Sequence, residues 1–244
     1  MVWLNGGLRM GKDLSINGLG SAAGGAFQRA EINGKGTIHG DIDCVHFESN
    51  GRGVVNGEIK ARTVDINGSA TLNGNIDAIT IEMNGHARIY GNIAGKEIEI
   101  AGSTVIEGNL KARKVNLQGK VTVRRDCEAE AFESDGRIII GDQLNAGHID
   151  ITLRGEARAK GIGGQTVKVR RRMPGWMKWI LIVFQPRLYT GRIEGDEIDL
   201  EHTKAEMVRG NNVRIGPGCE VGLVEYRGDI QEDKGAKVRE KRKV

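Results

Sequence analysis

The sequence predicts an all-β chain, a three-sided parallel β-helix (β-solenoid) of 17-residue coils. Three observations predict it: a self-similar repeat, paired apolar positions inside each repeat, and glycine rows at its corners. Residues 62–78 read RTVDINGSATLNGNIDA, 79–95 read ITIEMNGHARIYGNIAG and 96–112 read KEIEIAGSTVIEGNLKA. The blocks at 28–44, 45–61, 113–129 and 130–146 keep the same frame, which makes seven coils in register. Glycine supplies 37 of the 244 residues, proline only 3 and aromatic residues 4%. Such a chain turns often and fills a thin interior with small and β-branched side chains rather than with rings.

Within each block the apolar positions are 3 and 5, 9 and 11, and 15 and 17. Each pair alternates with outward residues as a strand does, and strand starts separated by 6, 6 and 5 residues suit three sides. The expected core rows are Val64, Ile81 and Ile98; Ile66; Leu72, Ile89 and Ile106; and Ile76 and Ile93. One corner carries Asn-Gly, as at Asn67-Gly68 and Asn84-Gly85, where a tight turn is expected to need positive φ. Gly74 and Gly91 mark a second corner, and small residues such as Ala61 and Ala78 a third. Eight coils stacked at the inter-strand spacing would make a rod on the order of 40 Å long.

The frame divides the chain into five stretches. Residues 1–27 read as an N-terminal tail and possible cap, with Leu14-Ser15-Ile16-Asn17-Gly18 one residue out of frame. Residues 28–169 are the regular β-helix, which gains a residue near Leu153–Gly155. Residues 170–190 are an apolar and basic insertion, and 191–236 an irregular β-helix continuation or cap, in which Val213 and Ile230, and Val221 and Val238, stand 17 apart. Residues 237–244 read as a basic tail expected to fray.

No catalytic or cofactor-binding residue and no metal ligand set is expected. A phosphate-binding GxxxxGK[ST] loop is missing, and the five histidines show no ligand or triad spacing. Cys44, Cys127 and Cys219 read as inward fillers, and the first two, five coils and about 24 Å apart, are beyond disulfide reach. Outward carboxylates such as Asp65, Glu82, Glu97 and Glu99 mix with Lys and Arg, which describes a solvated face. The alternative, a β-helix enzyme acting on a carbohydrate or an acyl donor, needs a cluster on one face or equal hexads, and the 6-6-5 spacing argues against the latter.

The sharpest signal outside the repeat is the insertion. Arg170, Arg171 and Arg172 precede Trp176, Trp179, Ile180, Val183 and Phe184, which share a face if the segment is helical. Cations beside aromatic residues describe an interfacial membrane anchor, and packing of the segment along the rod is the other reading. Trp3 and Leu4 would be a second, weaker anchor. Met1-Val2-Trp3-Leu4 is followed by Asn5-Gly6-Gly7 and not by the apolar core of a signal peptide, so a cytoplasmic address is expected. A net charge of +4 permits an anionic membrane surface, and no nucleic-acid partner is expected.

The recurring motif of GSATLNGNI (68–76) and GHARIYGNI (85–93), in unbroken phase over about residues 28–169, resembles the bactofilin family of bacterial polymer-forming cytoskeletal proteins. The resemblance implies a right-handed β-helix that polymerises end to end without nucleotide, often at the inner face of the membrane, with related bactofilins or envelope proteins as possible partners. The chain departs from the pattern of one short core between tails, because repeat-like sequence resumes after the insertion. That extra region could cap the rod.

Overall fold

The computed structural model describes residues 12–172 and 186–244. These form twenty strands, β1 (Leu14–Ile16) to β20 (Lys237–Lys243), every pairing parallel and all within one continuous sheet wound into a solenoid. One inward column shows how far it extends. It runs through Leu14, Ala30, Phe47, Val64, Ile81, Ile98, Val115, Phe132, Ile149, Val167, Ile198, Val213 and Ile230, each paired with the next. Those thirteen rungs, at the inter-strand spacing, make a rod on the order of 60 Å, longer than the eight-coil expectation.

A representative coil uses β5 (Ile59–Ile66), β6 (Ser69–Leu72) and β7 (Ile76–Met83). Inward Ile59, Val64, Ile66, Leu72, Ile76 and Ile81 are buried, and Ile89, Ile93, Ile98 and Ile106 continue their columns. The third corner is not a break between strands. β5 and β7 pass through it unbroken, because Ala61 and Ala78 turn inward and are small enough for the strand to bend there.

The glycine rows are required for a different reason from the one expected. Gly68, Gly74, Gly85 and Gly91 lie outside the left-handed region. Their constraint is stacking: a Cβ added at Gly68 or Gly85 would stand 2.1 or 2.0 Å from the carbonyl oxygen of the glycine one coil back. At Gly74 and Gly91 the corresponding distances are 2.3 and 2.4 Å. Positive φ is found near the start of these rows, at Gly18 (94°) and Gly40 (102°), and again at Gly102 (139°), Gly119 (90°) and Gly136 (151°), where Asn is lost from the preceding position and the strands run on through the corner.

Beside the glycines, Asn17, Asn33, Asn50, Asn67 and Asn84 form an amide ladder. From Asn33 onward each Nδ2 donates to the Oδ1 one coil back, at 3.0–3.3 Å. Its first step, from Asn17 to Asn33, spans 16 residues and the next three span 17. Inside the rod, Ser49, Thr104 and Ser134 carry buried hydroxyls with no hydrogen-bond partner among the described residues.

Two stretches read as flanking tails belong to the rod. Leu14–Ile16 and β2 (Leu19–Ile32) form a first coil, stepped by 16 residues from the second, with a bulge between Ala23 and Gly25 that recovers the frame. Lys237–Lys243, expected to fray, pairs with β18 (Glu220–Tyr226) as β20, because its backbone closes the edge of that strand whatever its side chains carry. The interruption does not break the rod either. β15 (Gly161–Arg171) and β16 (Leu188–Leu200) pair directly, Val167 with Ile198 and Ile162 with Ile193.

Candidate assembly ends and the base of the insertion

Three places on this rod differ from its repeating walls: its two ends and the corner from which the insertion leaves. At the N-terminal end, Leu14–Gln28 carries no charged residue. Leu14, Ala22 and Phe27 occupy inward columns, continued by Ala30, Ile38 and Cys44, yet are only partly buried. Leu19, in an outward column, is 84% exposed.

The C-terminal end has the opposite chemistry. β19 (Ile230–Glu232) and β20 form the last rung. Register places Glu232 under the buried Ile215, and Lys241 under the buried Val224. Two core columns therefore end in charge, and the two side chains pair with each other. One rung back, Glu225 is 8% exposed and is held by Arg209 Nε at 2.7 Å and Arg242 Nη1 at 3.3 Å. β20 carries Lys237, Arg239, Lys241, Arg242 and Lys243 against Glu240, a balance equal to the +4 of the whole chain. These features were legible as 17-residue steps from Ile215 to Glu232 and from Val224 to Lys241, where an apolar column turns ionic.

At the base of the insertion the chain is tied to carboxylates on the neighbouring rungs. Arg170 Nη2 lies 2.8 Å from Asp199 Oδ2, and the Arg171 amide donates to Glu201 Oε2 at 3.2 Å. On the returning side, Arg187 pairs with Glu220 at 3.1 Å. Arg172 is exposed. His202, at φ 45°, sits beside Arg171 (3.4 Å); burial, then the Arg171 charge, lowers its pKa below the ordinary value. Trp176, Trp179, Ile180, Val183 and Phe184, and likewise Trp3 and Leu4, lie outside the described residues. The structure thus brings Arg170 and Arg171 to one corner and gives no placement for the aromatic set.

The remaining chemistry-bearing groups do not converge. Cys44, Cys127 and Cys219 are unpaired, buried thiols, and burial pushes their pKa values up to about 12, about 12 and about 11. A thiol held that far above neutrality is protonated and a poor nucleophile. Among the described residues no group of three or more His, Cys, Asp or Glu could hold a metal ion. A side groove of about 1190 Å³ is lined by Lys160, Lys204 and Lys237 alternating with Glu206, Glu220 and Glu232, and by Arg158 stacked 5.3 Å from the Tyr189 ring. Its alternating charges offer no carboxylate pair set apart for acid–base work. Among the described residues no helix is long and apolar enough to cross a membrane.

Comparison with known proteins agrees with this geometry. Residues 2–94 match the family described as "Bactofilin: Polymer-forming cytoskeletal". The chain is 58% identical over 226 residues to the uncharacterized protein YhbE of Bacillus subtilis (strain 168), covering 92% of this chain and 95% of that protein. It is 36% identical over 102 residues to the uncharacterized protein YhbF of the same organism, 41% of each. No solved structure matches the chain.

Proposed function

The chain belongs to the bactofilin family, and from that premise we propose that its polymers are held against the cytoplasmic face of a membrane by the insertion between β15 and β16. As a family member it is a non-enzymatic, self-polymerising cytoskeletal scaffold. The apolar N-terminal coil, which exposes Leu19 and only half buries Leu14 and Phe27, is the surface we assign to one end-to-end contact. Related bactofilins or envelope proteins are the partners such a polymer would organise.

The observation that carries the membrane reading is the direct pairing of β15 with β16. The rod closes its ladder without the intervening residues. Their Trp176–Phe184 composition, two tryptophans and four aliphatic residues among nine, is therefore not needed to complete a coil. Arg172, exposed at the point of departure, places a cation where anionic headgroups would meet it.

Deleting Pro174–Phe184 should leave filaments intact in electron microscopy and abolish cosedimentation with vesicles of mixed neutral and anionic phospholipid. Cosedimentation equal to that of the full chain would overturn the membrane reading. Loss of filaments together with membrane binding would instead assign the segment to assembly.

A further inference from the structure

The outward charges that read as mixed along the chain are sorted by side once the coils are stacked. On the side of β6 and β8 (His86–Ile89), two outward columns run from Leu19 to Arg137 and from Ser21 to Ile139, each residue paired with its equivalent on the next rung. They carry Lys35, Arg52, Arg88, Lys120 and Arg137, all exposed, and no carboxylate. The neighbouring side has the opposite sign: Glu31, Glu48, Asp65, Glu82 and Glu99 form one outward column on five successive rungs.

Two further observations belong to the basic side. Its five cations have no counter-charge, since among the described residues none of them forms an ion pair, whereas Arg29 on the acidic side is bonded to Glu31 and Glu48. Its outward columns also hold aliphatic residues, the half-buried Val54, Val105 and Ile139, where the column from Glu31 to Glu99 holds none. Among the described residues between the terminal rungs, the large apolar side chains left exposed are Tyr90 and Tyr189. Both stand on this side: Tyr90, 54% exposed, follows β8, and Tyr189 pairs below Arg158, which pairs below Ile139.

We propose that this side of the regular half lies flat on the anionic headgroups of a bilayer, with the acidic side turned away. From Lys35 to Arg137 the cations are spread over six rung steps, roughly 29 Å, so they meet a surface and not a point. Each cation near an anionic leaflet adds attraction, and tyrosine and aliphatic side chains between cations suit the headgroup boundary. A linear polyanion would gain nothing from those apolar residues, and the acidic column of a second copy offers no apolar counterpart to Val54, Val105 or Tyr90.

The inference rests on the reading of the insertion as a membrane anchor, and adds the lipid class and the side on which the rod lies. β15 continues the columns of the acidic side as far as Arg171, and the chain returns on the basic side, with Leu188 paired to Ala157 and Tyr189 to Arg158. The base of the insertion therefore stands at the corner that the two sides share. Stable attachment takes two signals, an inserted apolar group and a basic patch, and either alone is marginal.

Two full-length variants test this. Arg52→Gln/Arg88→Gln/Lys120→Gln removes three exposed cations from the basic side, and Lys60→Gln/Arg62→Gln/Lys96→Gln removes three exposed cations from elsewhere on the wall. Both should form filaments. With vesicles of mixed neutral and anionic phospholipid, the first should lose on the order of 100-fold in apparent affinity, and the second should bind nearly as the wild type does. A fluorophore on Ser69→Cys should be quenched by a lipid-borne quencher, and one on Glu82→Cys should not; the native thiols, buried and protonated, do not compete for the label. Wild-type affinity in the first variant, equal losses in both, or equal quenching at both positions would overturn the proposal, while the Pro174–Phe184 deletion still decides the anchor. Rods that pair side by side through these cations without lipid, or duplex DNA that holds the wild type at a salt concentration where vesicles release it, would assign the side to another occupant and overturn the proposal too.

Discussion

The N-terminal and C-terminal halves of the rod share a core and almost nothing else. From Ala30 to Ile149 every step of the inward column is 17 residues. Beyond it the steps are 18 (Ile149 to Val167), 31 across the insertion (Val167 to Ile198), 15 (Ile198 to Val213) and 17 (Val213 to Ile230). Constant coil length keeps equivalent outward atoms in line, and the first half uses this for its asparagine ladder and stacked glycines. Where length varies, outward residues no longer repeat, and cross-rung ion pairs take over, such as Arg170–Asp199–Arg214 and Arg209–Glu225–Arg242. The columns of Ile, Val and Leu pass through both regimes. Burial of an apolar interior is the common requirement; surface ladders are permitted by regularity.

If that is right, core truncations should not distinguish the halves. Ile81→Ala and Ile193→Ala, both fully buried, should each cost about 3 kcal/mol and lower thermal stability alike. A large loss for Ile81 alone would mean that the irregular half folds as a separate, weaker unit. Glycine replacements should follow the distance to the stacked carbonyl, which is as short at Gly195 (2.5 Å) in the irregular half as in the regular one. Gly85→Ala must move two stacked backbones and should cost about 2–3 kcal/mol in urea melts, against less than about 1 kcal/mol for Gly191→Ala, whose Cβ would lie 3.0 Å from the Lys160 oxygen.

The surface ladders should differ in their response to salt. Arg209→Ala leaves Glu225, 8% exposed, with Arg242 alone, and should cost about 1–2 kcal/mol at low ionic strength and less in high salt. Asn67→Ala removes neutral amide bonds and should cost about 0.5 kcal/mol at any salt concentration. The smallest contrast is in acid. His202 has a folded pKa below the ordinary 6.5, so the unfolded chain binds the proton first, and the C-terminal half should lose stability as pH falls through 6.5 towards the folded value. Glu48, lowered from 4.5 by its bond to Asn50 and then by Arg29, contributes fully above 4.5 and is lost only as pH drops below it. Hydrogen exchange at about pH 5.5 should therefore show loosening around His202 before any around Glu48.

The sequence by itself determined the coil, its three sides and its inward columns, because burying one face of a strand imposes a period of two and stacking imposes a fixed repeat. Val64, Leu72, Ile76 and their equivalents are readable for that reason, as is the bactofilin likeness they carry. The glycine rows were visible, but their cause was not. Whether a glycine serves close approach alone or positive φ as well depends on the chain one coil away: an added Cβ would meet a carbonyl oxygen at 2.1 Å at Gly68 and 2.2 Å at Gly136, and only Gly136 also has positive φ. Only the tertiary structure decided that the first coil and the basic C-terminal strand belong to the rod. Pairing is a property of backbone edges, and composition pointed elsewhere in both places. It also decided that the ladder closes across the insertion and that Glu232 meets Lys241 where two apolar columns end, since both depend on register between strands far apart in the chain.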